Sequence, residues 1–312
     1  MVELKVGGPF VRCSNGTRYD VCNWVVRSSL EGGRCEACLL NRVIPDLSVS
    51  HNLDYWKEME VAKRRVLVAM AHLGLTPQAR CFRSTGVAFD FLSPSAECRV
   101  MTGHLNGIIT MNILEADPIF REQLRRSFGE PQRCLSGHFR HEFGHYYWDQ
   151  FFRFASSERP LTEFRKLFGD ERADYGAALQ NYYWRGPRQD WRRDFISAYA
   201  SAHPWEDWAE CWNAYLYIVE AVQTAQAFGC NISLAADLSI MDVPLDLGAD
   251  AAFCELMRSW FALAPAMNEI EAGVGYDVHH RTSLPYPVLR KLHFVHVSTA
   301  SISSWAGQLL AA

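Results

Sequence analysis

The sequence predicts a mostly helical α+β domain with a small sheet, preceded by a small cysteine-bearing module. Three observations predict it: long runs with apolar residues at helical spacing after residue 52, two short β-rich runs among them, and four of the ten cysteines within the first 38 residues. With 312 residues, 49% of them apolar and 21% charged, the chain can bury a substantial core and lacks the composition of a disordered protein.

Residues 1–46 are rich in Gly, Ser, Cys and Arg, and Pro45-Asp46-Leu47-Ser48 punctuates the change to a helical pattern. A small module is therefore placed at 1–46 and the main domain at 47–312. Residues 52–75 carry Leu53, Trp56, Met59, Val66, Leu67 and Met70 among charges at a 3.6-residue period, ended by Gly74 and Pro77. Strands are expected at 87–92 and 107–113, both short, β-rich and bounded by turn residues. Such strands matter because an exposed sheet edge can accept an extended peptide as another strand. From Pro118 the pattern predicts helices over 118–128, 131–154, 160–184, 190–200, 204–228, 249–266 and 285–304. There is no internal repeat and no low-complexity tract.

The net charge of −4 provides no global basic field for nucleic acid. The arginines at 121, 125 and 126, and at 185, 188, 192 and 193, read as solvated helix faces. Residues 1–10 lack the apolar core of a secretory signal, and no window approaches 18 uninterrupted apolar residues. The expectation is a cytoplasmic protein that meets no membrane, whose cysteines are thiols or metal ligands instead of disulfides.

His141-Glu142-Phe143-Gly144-His145 falls in the helix expected over 131–154. A helical repeat of 3.6 residues puts the two imidazoles on one face, where they can hold one zinc ion, and puts Glu142 where it can take a proton from an attacking water. The flanking Phe139, Phe143, Tyr146, Tyr147, Trp148, Phe151 and Phe152 mark a buried helix. Burying unpaired polar groups costs roughly 2–7 kcal/mol each, and a metal supplies the partner.

A catalytic zinc takes three protein ligands and keeps one open position, so a third donor must come from elsewhere. In His203-Pro204-Trp205-Glu206-Asp207-Trp208-Ala209-Glu210, Pro204 suits a helix's first position, and Glu206 and Glu210 then share a face. Glu206 is the expected ligand and Glu210 the expected acceptor of the remaining ring proton of His141. The rival cluster, Asp170-Glu171-Arg172-Ala173-Asp174, lies 25 to 29 residues after His145. Acids in a first helical turn serve the dipole and the cap without any metal, in either cluster; the apolar setting of Trp205, Trp208 and Trp212 favours Glu206. Asp170, Asp174, Asp207 and His138 are expected around the ligands. His138, three residues before His141, is read as supporting or packed, because ligands in a row along one helix cannot surround a tetrahedral ion.

Cys13, Cys22, Cys35 and Cys38 form C-x8-C-x12-C-x2-C, and four thiolates make a closed structural zinc site, without which so small a segment would have little core. The remaining cysteines, Cys81, Cys98, Cys134, Cys211, Cys230 and Cys254, are scattered, several in apolar contexts where a thiol packs as a small hydrophobe.

Together these strings resemble the bacterial family called "putative zinc-binding metallopeptidase", whose members carry an N-terminal zinc-ribbon-like segment. The resemblance rests on Ile44-Pro45-Asp46-Leu47-Ser48, on Gly137-His138-Phe139-Arg140-His141-Glu142-Phe143-Gly144-His145-Tyr146-Tyr147-Trp148, on Phe168-Gly169-Asp170-Glu171-Arg172-Ala173-Asp174-Tyr175, and on the stretch from Ser197 through His203 to Glu210. It implies a zincin-like catalytic domain behind a zinc-ribbon-like module, with one catalytic and one structural zinc and a peptide or protein substrate. The site also resembles that of the gluzincin catalytic domain of anthrax lethal factor. That likeness implies Glu206 as the zinc ligand and Tyr199, seven residues before it, as the phenol that donates to the oxyanion; His203 is the alternative donor. Two other readings stand beside peptide hydrolysis. One is a non-catalytic zinc protein that recognises a nucleic acid or protein through the ribbon, a thin case given the dispersed Arg12, Arg18, Arg27, Arg34 and Arg42. The other is an effector protease with a single protein target.

Overall fold

The computed structural model describes residues 10–30, 32–95, 99–128, 134–230, 250–276 and 280–310. Cys98 and the expected helix starts at 131 and 249 lie outside the described residues. The chain divides into two compact units, residues 1–72 with 76–142, and residues 73–75 with 143–312. The division falls inside one continuous helix.

In the first unit, β1 (Phe10–Arg12) pairs antiparallel with β2 (Val25–Arg27), and α1 (Ser14–Tyr19) lies between them in sequence. The short α2 (Glu36–Leu39) leads into β3 (Asn41–Val43), and α3 (Asn52–His72) follows, three residues shorter than its apolar period suggested. Its buried face is not purely apolar. Glu60 and Lys63 are fully buried, 2.8 Å apart, and Glu60 also accepts from Asn41 at 2.7 Å, Trp56 at 3.2 Å and Arg64 at 3.3 Å. A buried carboxylate survives only with such complete pairing, because one lost partner strands a desolvated charge. Arg64 reaches on to the Val21 carbonyl at 2.9 Å, which ties α3 to the cysteine-bearing segment.

β4 (Ala88–Leu92), β5 (Gly103–Leu105) and β6 (Ile108–Asn112) complete a four-stranded sheet of order β3-β4-β6-β5, in which only the β5–β6 pair is antiparallel. The two strands expected from sequence are thus its central pair, and β3 and β5 form its edges. Too short to show a period, those edge strands gave no signal of their own. Phe89 and Phe91 on β4 pack against Phe139, the residue two before the paired histidines begin. α4 (Pro118–Phe128) and α5 (Leu135–Trp148) follow, and α5 runs on into a π-helical turn at Asp149–Arg153.

In the second unit, the helix expected over 160–184 is broken. α6 (Arg159–Phe168) stops at Gly169, whose φ of 102° is a left-handed conformation that favours glycine, and α7 (Tyr175–Arg185) starts afresh with Asp174 as its cap. The helix expected over 190–200 is also interrupted: α8 (Trp191–Asp194) ends at Phe195, which is extended, and a single 3₁₀ turn occupies Tyr199–Ser201. α9 (Pro204–Ala227) is the central element, packed by α6, by α10 (Ala251–Gly273) and by α11 (Tyr286–Leu310). Burial of Phe253, Met257, Trp260, Phe261 and Ala264 carries α10 through Pro265 and beyond the expected end at 266, against proline's usual penalty. Trp208 and Trp212 of α9 are fully buried, and Trp208 is ringed by Phe152, Phe164, Phe168 and Phe294. Among the described residues no helix is long and apolar enough to cross a membrane.

Candidate metal centre

His141 and His145 stand four residues apart on α5, and Glu206 stands in the first turn of α9. The ligand atoms these three residues offer all lie within 4.8 Å of one another. What holds α9 against α5 is visible at Gly144: a Cβ there would lie 2.9 Å from the Ala209 Cα and 3.2 Å from the Trp212 side chain. Trp208 seals the crossing by donating its indole N–H to the Gly144 carbonyl at 2.8 Å. The glycine between Glu142 and His145 therefore permits the approach that brings Glu206 to the histidines. Gly144→Ala is expected to lower stability by about 1–3 kcal/mol through overpacking, despite alanine's better helix propensity, and to weaken zinc binding. Thermal unfolding together with a zinc titration checks both effects, and a rise in Tm would contradict this account.

The start of α9 is set by local chemistry. His203 has an extended backbone, its Nδ1 accepts the Trp205 backbone N–H at 3.1 Å, and Pro204 occupies the first helical position, where no N–H is needed. Glu206 and Asp207 then sit where the helix dipole favours negative charge. Neighbours in sequence, they part company in space. Glu206 is 1% exposed with Oε2 at 3.6 Å from His145 Nε2, whereas Asp207 accepts from Lys291 Nζ at 2.6 Å.

The donor set fits zinc. Two imidazoles and a carboxylate are its usual ligands, and bonds of about 2.1 Å in a tetrahedron put donors about 3.4 Å apart. The 3.6 Å between His145 and Glu206 matches that edge and is too long for a good hydrogen bond. Beside the first histidine is Glu142, itself buried.

The cysteines meet the same test. Cys13, Cys22, Cys35 and Cys38 are all buried, their sulfurs lie within 4.8 Å of one another, and Cys22 and Cys35 are separated by 3.6 Å. A disulfide would need about 2.05 Å, whereas a tetrahedron of Zn–S bonds near 2.3 Å has edges of about 3.8 Å. Backbone N–H groups point at two sulfurs, Cys35 N to Cys13 Sγ at 3.3 Å and Trp24 N to Cys22 Sγ at 3.5 Å, as thiolates require. Hydrogen bonds from Cys35 and Cys38 hold Cys22 toward the thiolate, and the same hydrogen bonds to Cys22, with burial, push the other two thiols up. A cation resolves that competition by accepting every sulfur as a thiolate. Cys211 and Cys254 are buried thiols, while Cys81, Cys134 and Cys230 are exposed.

The residues expected around the ligands have the following partners. Asp170 is exposed and paired with Arg172 at 2.7 Å, and Glu171 is held by Arg165 at 2.5 Å and 2.9 Å. Asp174 caps α7 by accepting the Ala177 N–H at 2.9 Å. Asp207 is an ion-pair partner of Lys291, with burial pushing its carboxyl up to about 7 against the ammonium's pull. His138 pairs with Glu115. His203, the alternative oxyanion donor, accepts the Trp205 N–H at Nδ1 in the α9 cap, so Nε2 carries the proton in the neutral ring and faces the Ala173 carbonyl at 3.1 Å. Burial lowers its pKa. Tyr199 is half-buried in the 3₁₀ turn with its ring edge-on to Tyr182 at 5.5 Å, and Glu210 lies half-buried one turn beyond Glu206.

Two residues escaped the sequence reading. Tyr175 donates its hydroxyl to Glu206 Oε1 at 2.5 Å, across 31 residues, a separation that carries no periodic signal. Asp149, one turn past His145, is a buried carboxyl whose pKa burial raises while Arg153 and His145 pull it back. Its i+4 spacing from His145 was the available clue.

A family model described as "Putative zinc-binding metallo-peptidase" matches residues 52–298, and one described as "zinc-ribbon domain" matches residues 3–49. An uncharacterized protein of Mycobacterium tuberculosis and one of Mycobacterium bovis are each 41% identical to this chain over 277 residues, covering 88% of it and 78% of the relative. No solved structure matches the chain.

Proposed function

The chain belongs to the putative zinc-binding metallo-peptidase family, and we propose that it hydrolyses peptide bonds with His141, His145 and Glu206 holding the catalytic zinc and Glu142 as general base. The observation that carries this reading is the convergence of two imidazoles and one buried carboxylate within 4.8 Å, with a second buried carboxylate next in sequence to the first histidine. Zinc held there supplies Lewis-acid polarisation, which brings the pKa of water from 15.7 toward about 7.

Glu142 takes a proton from the attacking water as its oxygen bonds to the scissile carbonyl carbon. The same carboxyl then delivers that proton to the amide nitrogen as the C–N bond breaks, so one residue serves both halves of the reaction. Tyr199 is the proposed donor to the oxyanion, a contribution of about 3–4 kcal/mol for such a group. Tyr199 is preferred to His203 because His203 Nε2 faces the Ala173 carbonyl at 3.1 Å. In this reading residues 1–46 form a ribbon module closed by a structural zinc on the four cysteines, and residues 47–312 form the catalytic domain.

Metal analysis of the purified protein and cleavage of a fluorogenic peptide library test the proposal together. About two zinc equivalents and a defined cleavage pattern are expected. A protein that carries the catalytic zinc and cleaves neither the library nor any folded protein offered to it would overturn the hydrolytic reading.

A further inference from the structure

We propose that Tyr175 is a positioning residue for the metal centre: its hydroxyl occupies Glu206 Oε1 and so commits Oε2 alone to the zinc. The inference rests on the proposed zinc site and adds to it a residue from a different helix. A carboxylate offers two oxygens, and one that ligates through both takes up a corner that a catalytic zinc must leave open. Here the two oxygens have separate partners. Oε2 lies 3.6 Å from His145 Nε2, at the edge length of a shared tetrahedron, while Oε1 accepts the Tyr175 O–H at 2.5 Å.

The phenol is itself held in place. Asp174 caps α7 immediately before it, and His203 Nε2–H fixes the Ala173 carbonyl two residues before it. The Tyr175 ring stands edge-on to His203 at 5.1 Å and tilted on Trp205 at 5.7 Å. His203 thus does two things from one ring. It caps the helix that carries Glu206 and anchors the turn that carries Tyr175, so ligand and positioning group share one support.

α7 buries none of its residues, and Tyr175 remains 36% exposed. A partly exposed tyrosine thus gives its hydroxyl to the carboxylate of a residue that is 1% exposed. That direction of pairing answers the carboxylate's need, because a buried carboxylate depends on protein partners. Groups that orient a metal ligand typically contribute 10- to 100-fold to metal affinity.

The test is a zinc titration of the full-length, metal-stripped protein in a competing chelator, in which the binding phase lost in His141→Ala identifies the catalytic ion. Tyr175→Phe keeps the ring contacts and is expected to raise the zinc Kd of that phase at least 10-fold. In the cobalt-loaded protein the same variant is expected to change the visible d–d spectrum, a sign of altered coordination. Tyr183→Phe, an exposed tyrosine on the same helix, is expected to change neither. Unaltered affinity and spectrum in Tyr175→Phe would overturn the inference and leave the proposed function standing. Equal weakening in Tyr183→Phe would assign the effect to helix stability and overturn it too. Absence of any His141-dependent phase in the unaltered protein would instead overturn the proposed function.

Discussion

Glu142→Gln is expected to retain the protein's full zinc content and to lose peptide hydrolysis by about 10²- to 10⁴-fold, the range a positioned general base contributes. Glutamine keeps the shape of the side chain and its place on α5, so the ligands beside it have no reason to move. What it removes is the basic oxygen that accepts a proton from the nucleophile. Glu206→Ala should behave differently, because it deletes a donor: metal binding itself should weaken, and activity should fall with it. Zinc content measured in both variants, alongside peptide cleavage, separates the two roles. Equal zinc in both would contradict the assignment of Glu206 as a ligand, and undiminished cleavage by Glu142→Gln would contradict that of Glu142 as base.

Cys38→Ser is expected to release about one equivalent of zinc and to unfold the cysteine-bearing segment. In small zinc modules the metal contributes about 10–16 kcal/mol of apparent folding free energy, far more than a single domain's usual net stability. The segment has little else to draw on. Its two-stranded sheet is three residues long on each side, and besides the four cysteines its buried apolar side chains are the small or medium Val21, Val26, Ala37 and Leu40. Arg64, Glu60 and Lys57 of α3 connect to it through the Val21 carbonyl, Asn41 and Asp20, yet a typical hydrogen bond is worth only about 1 kcal/mol net. Limited proteolysis should therefore cut within the first 46 residues of the variant, and native mass spectrometry should show the missing metal. A Cys38→Ser protein with unchanged zinc and unchanged protease resistance would remove the structural zinc from the account.

How much of this was legible before folding depends on the range of the interaction. The pairing of His141 with His145 follows from helical period alone, and Pro204 marks the start of α9 well enough to place Glu206 in its first turn. The central strands β4 and β6 and the helices α3, α4 and α9 announce themselves by apolar periodicity. The break between α6 and α7 was obscured because the apolar pattern continues across it, while Gly169 and the Asp174 cap act through backbone geometry that periodicity does not report. His203 was named from sequence only as the alternative to Tyr199; its hydrogen bonds to Trp205 and Ala173 join residues whose approach depends on the tertiary fold.

The sequence by itself determined which residue types face one side of α5, where α9 begins, and that four cysteines share the opening segment, since these depend on neighbours within a turn or a short loop. Only the tertiary structure decided that Glu206 turns to the histidines while Asp207 turns to Lys291, 84 residues away, and that Tyr175 completes the carboxylate's bonding. The physical reason is that adjacent helical residues point about 100° apart, and which of two neighbouring acids meets which partner is settled by how closely the helices pack. That closeness was written at Gly144, but its meaning required Ala209 and Trp212 to be seen against it.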